Sequence, residues 1–187
     1  PLWRENPYCV LLENSDSESE AHAREQFERL LEAALEQGLV SDAVVAESLA
    51  QARSLWHIRE SIPLAQAQEG LNIKHDISIP VSRIPAFCAE TDVLLAREIP
   101  GVRLVNFGHL GDGNLHYNVQ APEHTDATAF LRTQESQVNQ LVFDAVSRYH
   151  GSISAEHGVG SPKVDTLPKH KDSVARALMR SIKQALD

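Results

Sequence analysis

The sequence predicts an α+β domain, and two observations support this fold class. Helix patterns and strand patterns alternate along the 187 residues, which indicates mixed layers of helix and sheet. Two neighbouring strand patterns, Val102 to Phe107 and Asn114 to Gln120, are joined through Gly-Asp-Gly, a connection typical of an antiparallel hairpin. Because a hairpin makes neighbouring strands antiparallel, we expect an α+β sheet rather than a doubly wound parallel one.

Composition excludes several function classes. The chain suits one domain, or one large and one small subdomain, and its net charge of -9 disfavours a surface for nucleic acid or anionic membranes. No apolar run approaches the roughly 20 residues of a membrane span, and no signal-peptide pattern is present. Cys9 and Cys88 form no motif, which is typical of reduced thiols. We therefore expect a cytoplasmic protein.

Two helix patterns dominate the first third of the chain. Ala21 to Gln37 repeats apolar side chains at helical spacing, and Gly38 is a plausible C-terminal stop. Ser48 to Gln68 is a longer pattern that Pro63 interrupts, because a proline removes a helical hydrogen bond and clashes with the preceding turn. We therefore expect a kink or an end near Ile62.

Three apolar or alternating runs predict strands before residue 80. Tyr8 to Leu12 and Asp42 to Ala46 are short candidates. Asn72 to Ile79 alternates apolar and polar residues, which places its isoleucines on one face and Lys74, Asp76 and Ser78 on the other.

Spacing of apolar residues also predicts the elements after residue 80. Ile84 to Glu98 is a helix pattern with a proline in its permissive first turn, and Asp126 to Tyr149 is a long amphipathic helix. Gly151 to Ser154 is a short strand candidate, and a last helix is expected from about Asp172 to Leu186.

Two glycine-framed stretches carry the candidate chemistry: Asn106 to Asn118, N-F-G-H-L-G-D-G-N-L-H-Y-N, and Ser154 to Gly160, S-A-E-H-G-V-G. A tight turn between the hairpin strands could bring His109 and His116 to one side, and Glu156 is the best third ligand. Two histidines and one carboxylate with open positions are typical of a catalytic metal centre. His157 would then be free to act as a base.

The alternative is that these are ordinary loop histidines, since the chain has nine and some clustering is expected by chance. Asn118 alternates with His116 and should share its side of the strand. Arg59 and Lys74 could bind a carboxylate, although such cations are more often solvated or ion-paired. His75 and its neighbour Asp76 are interpreted as structural.

The motifs resemble those of a known family. F-G-H-L-G-D-G-N-L-H-Y-N-V and S-I-S-A-E-H-G-V-G are similar to signature stretches of the C-terminal domain of FAD-linked oxidases. That family includes D-lactate dehydrogenases, glycolate oxidase subunits and D-2-hydroxyglutarate dehydrogenases. Trp56 to Glu60 and Lys74 to Pro80 add supporting matches, so the resemblance covers essentially the whole chain.

The resemblance implies a ferredoxin-like substrate domain, with helices mainly on one face of the sheet. Residues 1–187 would pack over FAD held by a separate N-terminal domain. Neither that domain's glycine-rich pyrophosphate loop nor the family's Asn-Pro-Gly-Lys tail occurs here, so we expect an isolated C-terminal domain that is inactive alone.

The resemblance also implies a role for each candidate residue. His109, His116 and Glu156 would bind a divalent metal, Zn or Mn/Fe, and His157 would take the hydroxyl proton. The substrate, a 2-hydroxyglutarate-like or lactate-like 2-hydroxy acid, would be bound by Arg59, Lys74 and Asn118, and Asn114 would lie near the flavin. Where the 2-hydroxyglutarate branch tends to have a hydroxyl side chain, this chain has Pro63, so its contact with the distal carboxylate should differ.

The expected partners are the substrate, the FAD domain and an unidentified electron acceptor, with a homodimer also expected. Two other functions remain open from the sequence. A free-standing metal hydrolase would turn over substrate without flavin. A non-catalytic ferredoxin-like binding module would bind no metal and would pair through an exposed apolar face.

Overall fold

The computed structural model describes residue 6 and residues 8–186. The chain divides into two compact units, residues 1–68 and 69–187. Within the described residues, no helix combines the length and the apolar character needed to cross a bilayer.

The described residues of the first unit form three helices, α1 (Glu20–Glu36), α2 (Leu49–Glu60) and α3 (Ile62–Gln68). The Ser19 side chain caps α1 by accepting the N–H of His22 at 3.1 Å. Gly38 ends the helix in the left-handed conformation, with φ of +66°. The N–H groups of Gly38 and Leu39 donate back to helix carbonyls, which is a Schellman motif and confirms the predicted stop.

The predicted break before Pro63 is confirmed. Helix α2 ends at Glu60, and α3 begins at Ile62 with Pro63 in its first turn, where no intrahelical N–H is needed. The hydroxyl of Ser61 donates to the carbonyl of His57 at 2.7 Å and closes the end of α2.

The predicted strands Tyr8 to Leu12 and Asp42 to Ala46 are wrong. Both segments are irregular and form no ladder. Leu11 and Val45 line a groove beside α1 and α2, together with Phe27, whereas Tyr8 and Val10 are mostly exposed. Packing of an irregular chain against helices therefore accounts for only part of the apolar pattern that suggested strands.

The second unit is built on an antiparallel sheet of four strands, β1 (Asn72–Ile73), β2 (Asp76–Ser78), β3 (Arg103–Phe107) and β4 (Asn114–Gln120). The central strand is β4: it pairs with β3 on one side and with both β1 and β2 on the other. The hairpin is confirmed.

The single strand expected from Asn72 to Ile79 is divided at Lys74 and His75. Both parts keep one register on β4, since Ile73 pairs with Val119 and Asp76 with His116.

On the outer side of β2, the expected strand is reduced to a single β-bridge. Ser78 and Ser152 exchange two backbone hydrogen bonds, at 3.0 and 2.8 Å, where a strand from Gly151 to Ser154 was expected. Helices α4 (Ile84–Glu98) and α5 (Ala127–Arg148) provide the two crossovers. The order of residue 152, β2, β4 and β3 is the ferredoxin-like βαββαβ arrangement, so the α+β prediction is confirmed.

The core lies between the sheet and helices α4 and α5. Alternate strand residues point into it, among them Ile77 and Tyr117, both fully buried. The intervening residues of the same strands face the other side of the sheet, and this second face carries the polar motif residues. Two further helices, α6 (Leu167–His170) and α7 (Ser173–Leu186), follow.

Candidate active site

The site lies on the sheet face that is turned away from the helical core. Because directly paired residues of neighbouring strands point to the same face, the register places Asp76, His116 and Phe107 together. The ring centroids of Phe107 and His116 are 5.0 Å apart. Asn114 and Asn118 alternate with His116 along β4 and share this face, as the sequence predicted for Asn118.

Asp76 joins this face to the loop that follows residue 153. Its Oδ2 accepts hydrogen bonds from three consecutive backbone N–H groups, those of Ala155 at 3.2 Å, Glu156 at 2.9 Å and His157 at 2.8 Å. Burial alone raises the pKa of Asp76, but these bonds outweigh it and hold the pKa below its usual value. The carboxylate therefore stays ionised and fixes the backbone of the loop.

Four titratable side chains converge there. His116 Nε2 lies 3.9 Å from Glu156 Oε2, and His116 Nδ1 lies 4.0 Å from Asp76 Oδ1. His157 Nδ1 lies 4.0 Å from Asp76 Oδ2, and its ring centroid is 6.0 Å from that of His116. Asp76, Glu156 and His157 can each offer one ligand atom within 4.8 Å of the others.

These residues fit a divalent cation. A separation of 3.9 Å between His116 Nε2 and Glu156 Oε2 is too long for a hydrogen bond. Ligands bound at 2.0–2.2 Å to one ion are about 3–3.5 Å apart, so a small closure would let both atoms reach it. The buried Oδ1 of Asp76 also has no hydrogen-bond partner within the described part of the chain.

His109 lies elsewhere on the hairpin. It is exposed at the start of a single 3₁₀ turn, Leu110–Asp112, and its carbonyl accepts the N–H groups of Asp112 and Asn114. Among residues 6 and 8–186, neither His109 nor His116 belongs to a group of three or more metal-ligating side chains that lie within 4.8 Å of one another. Contacts of 3.9–4.0 Å nevertheless connect His116 with Glu156, and connect both His116 and His157 with Asp76.

Two glycines shape this turn. Gly113 has φ of +70°, and a Cβ there would lie 2.3 Å from the carbonyl oxygen of Ile79. A Cβ on Gly108 would lie 2.2 Å from the carbonyl oxygen of Asn114. A side chain at either position would therefore require the backbone to shift.

The two asparagines of β4 are buried behind the site. Asn118 Oδ1 accepts the backbone N–H of His75 at 3.4 Å. Asn114 Oδ1 is buried without a hydrogen-bond partner in the described part of the chain, so it retains an acceptor for a ligand.

The two candidate cations lie in different units. Lys74 is exposed at the break between β1 and β2. Arg59 is on α2, in the first unit, where it is partly buried.

Asp76 lies in the site, although its sequence context indicates only a structural role, shared with His75, which is held in the core. The signal that could have found it is positional: Asp76 lies on the polar face of its predicted strand and would share that face with His116 if the two strands paired.

The chain was also compared with known proteins. It matches the family described as FAD linked oxidases, C-terminal domain, over residues 2–187. A D-2-hydroxyglutarate dehydrogenase of Xanthomonas citri pv. viticola is 43% identical over 189 residues, which cover 100% of this chain and 39% of that protein.

Eukaryotic relatives give similar matches. The mitochondrial D-2-hydroxyglutarate dehydrogenase of Arabidopsis thaliana is 38% identical over 187 residues, covering 100% of this chain and 32% of that protein. A putative mitochondrial D-lactate dehydrogenase of Schizosaccharomyces pombe is 34% identical over 196 residues, covering 100% of this chain and 36% of that protein. The chain thus spans less than two fifths of the length of each of these relatives.

Proposed function

This chain belongs to the family of FAD-linked oxidase C-terminal domains, and from that premise we propose that residues 1–187 form the substrate- and metal-binding domain of an FAD-dependent D-2-hydroxy-acid dehydrogenase. The enzyme would convert a 2-hydroxyglutarate-like or lactate-like acid to the 2-oxo acid. The observation that carries the proposal is the convergence of Asp76, His116, Glu156 and His157 on one face of the sheet.

Metal binding is assigned to His116, Glu156 and His109. The facing Nε2 and Oε2 atoms of the first two support their assignment, and the exposed turn leaves the imidazole of His109 accessible. A bound divalent ion, Zn or Mn/Fe, supplies a Lewis acid that lowers the pKa of a hydroxyl group. Two histidines and one carboxylate leave positions open for a substrate.

His157 is the proposed base. Its side chain is 70% exposed, so a substrate can reach the imidazole, while its backbone N–H is fixed by Asp76. As a C2 hydride leaves the substrate with two electrons, the hydroxyl proton passes to a ring nitrogen of His157 and the C=O bond forms. FAD, when bound, supplies the hydride acceptor that no side chain can provide.

The substrate's charged groups are assigned to cations. Lys74 and Arg59 would bind carboxylates, with Arg59 able to do so through two parallel hydrogen bonds. Asn118 would contact the substrate from β4, and Asn114, with its unpaired acceptor, would lie near the flavin. Pro63 cannot donate a hydrogen bond, so the distal carboxylate would depend on these cations.

The proposal also includes the partners. The remainder of a longer protein would bind FAD, and an unidentified acceptor would take the electrons onward. A homodimer and a cytoplasmic location stay predictions; the relatives from Arabidopsis thaliana and Schizosaccharomyces pombe are named as mitochondrial proteins.

Metal analysis tests the proposal. We expect about one Zn, Mn or Fe per chain in the purified protein and a loss of most of it in His116→Ala, because that variant lacks a ligand. His124→Asn is the matched control: His124 is exposed, has φ of +60°, and asparagine tolerates that conformation. Equal metal content in all three proteins would contradict the assignment of His116 as a metal ligand. Hydrolysis of esters by the protein without flavin would instead favour the alternative function, a metal-dependent hydrolase.

A further inference from the structure

We propose that Asp76 is a positioning residue that sets the tautomer of His116 with one carboxylate oxygen while it anchors the Glu156–His157 loop with the other. The inference rests on the proposed function, in which His116 and Glu156 bind a divalent ion. It adds a residue that organises the ligands without itself being one of them.

The first oxygen is fully engaged by the loop. Oδ2 accepts the N–H groups of Ala155, Glu156 and His157, at 3.2, 2.9 and 2.8 Å. Three donors converge on one oxygen, so the carboxylate has a defined rotation and its second oxygen a defined direction. Asp76 is only 5% exposed, and solvent contributes little to holding it.

The second oxygen faces His116. Asp76 and His116 are directly paired across β2 and β4, so their side chains leave the same face of the sheet. Oδ1 is buried and has no hydrogen-bond partner among the described residues, and His116 Nδ1 lies 4.0 Å away. That distance exceeds a direct hydrogen bond. It is short enough for the negative charge to favour the tautomer in which Nδ1 carries the proton. Glu156 Oε2 lies at a similar distance from Nε2, but the Glu156 side chain is 48% exposed and that of Asp76 only 6%, so solvent screens the Glu156 charge more and the Asp76 charge decides the tautomer.

The tautomer of His116 decides whether its other ring nitrogen, Nε2, can bind a metal. If Nδ1 carries the proton, the lone pair of the neutral ring is on Nε2, the atom that faces Glu156 Oε2 at 3.9 Å. A carboxylate behind a histidine ligand commonly fixes its orientation and tautomer in this way. Asp76 thus connects the two motifs of the site: it prepares the ligand on β4 and places the ligand and the base on the loop.

The variant that separates these two roles is Asp76→Asn. Its side-chain oxygen can still accept the three loop N–H groups, so the anchor is kept. Its amino group then faces His116 Nδ1 and favours a lone pair there, which moves the proton to Nε2 and blocks that atom from a metal. Asp92→Asn is the matched control, because Asp92 is a partly buried carboxylate on α4 that accepts a hydrogen bond from Tyr117.

Two readouts test the inference in the intact metal-free protein. Long-range ¹⁵N–¹H spectra of histidine-labelled protein, with the signal assigned by His116→Gln, should show Nδ1–H in the wild type and in Asp92→Asn, and Nε2–H in Asp76→Asn. Zinc affinity measured by chelator competition should fall about 10–100-fold in Asp76→Asn and stay unchanged in Asp92→Asn.

Each result has one meaning. A wild-type His116 with its proton on Nε2 overturns the inference, even if Asp76→Asn does not fold. An unchanged zinc affinity in folded Asp76→Asn overturns it too, and leaves Asp76 as a loop anchor only. A wild-type protein that shows the expected tautomer but binds no zinc, manganese or iron would support the positioning of His116 by Asp76. The same result would contradict the proposed function, in which His116 binds a metal.

Discussion

His75 and Asp76 are neighbours in the chain but face opposite sides of the sheet. Asp76 faces the site, whereas His75 is buried in the core. The Nδ1 of His75 donates to the carbonyl of Tyr117 at 2.7 Å, and its Nε2 lies 2.9 Å from the side-chain amide of Asn139. Burial lowers the pKa of His75 to about 4, so the ring is neutral at physiological pH.

This burial predicts a pH dependence of stability. In the unfolded state, His75 has an ordinary pKa of about 6.5, whereas in the folded state its pKa is about 4. Between these two pH values the unfolded state therefore binds a proton at His75 and the folded state does not. The free energy of unfolding is therefore expected to fall by roughly 3 kcal/mol from this group as the pH drops from 7 to 4.

Urea unfolding at pH 7, 5.5 and 4 checks this, with His75→Gln as the comparison, since glutamine can donate to Tyr117 but does not titrate. We expect the wild type to lose about 3 kcal/mol more than the variant across this range. Parallel pH profiles for the two proteins would show that His75 is not the buried neutral group described here.

At the scale of elements, the hairpin turn depends on close backbone approach. Gly108 has no room for a Cβ, because the carbonyl oxygen of Asn114 would lie 2.2 Å away. Gly111, three residues on in the same turn, has nothing within 4 Å of such a Cβ and no positive φ. Two glycines of one motif therefore have different tolerance for a side chain.

We expect Gly108→Ala to lower the free energy of unfolding by about 1–3 kcal/mol, because the backbone must shift to relieve the overlap. Gly111→Ala should stay within about 0.5 kcal/mol of the wild type. Denaturant unfolding of both variants measures this difference. Equal stability of Gly108→Ala and Gly111→Ala would mean that the turn does not hold the backbone as closely as described.

The elements also show what sequence patterns can and cannot predict. The bounds of α4 and β4 were predicted as observed, because a first-turn proline or glycines marked where they begin. The two irregular apolar segments of the first unit were predicted as strands, since a short apolar run does not reveal whether it packs on a sheet or on helices.

At the scale of the whole molecule, site residues come from segments far apart in sequence. His116 and Glu156 could be proposed because each stands in a dense glycine-framed motif. The role of Asp76 depends on the register of β2 on β4 and on a loop about 80 residues later, as the hydrogen bond that the N–H of Glu156 donates to the Asp76 carboxylate shows. No local pattern contains that information.

We propose that this chain supplies the substrate site of a flavin-dependent 2-hydroxy-acid dehydrogenase, with His157 as the base. The most direct test is anaerobic mixing of D-2-hydroxyglutarate or D-lactate with the FAD-loaded protein that contains this chain, followed by flavin absorbance. We expect flavin bleaching in the wild type and a rate at least about 100-fold lower in His157→Ala, because general-base catalysis contributes that much. Equal bleaching rates in the two proteins would contradict the role of His157 as the base, and no bleaching by either acid in the wild type would contradict the proposed dehydrogenase function.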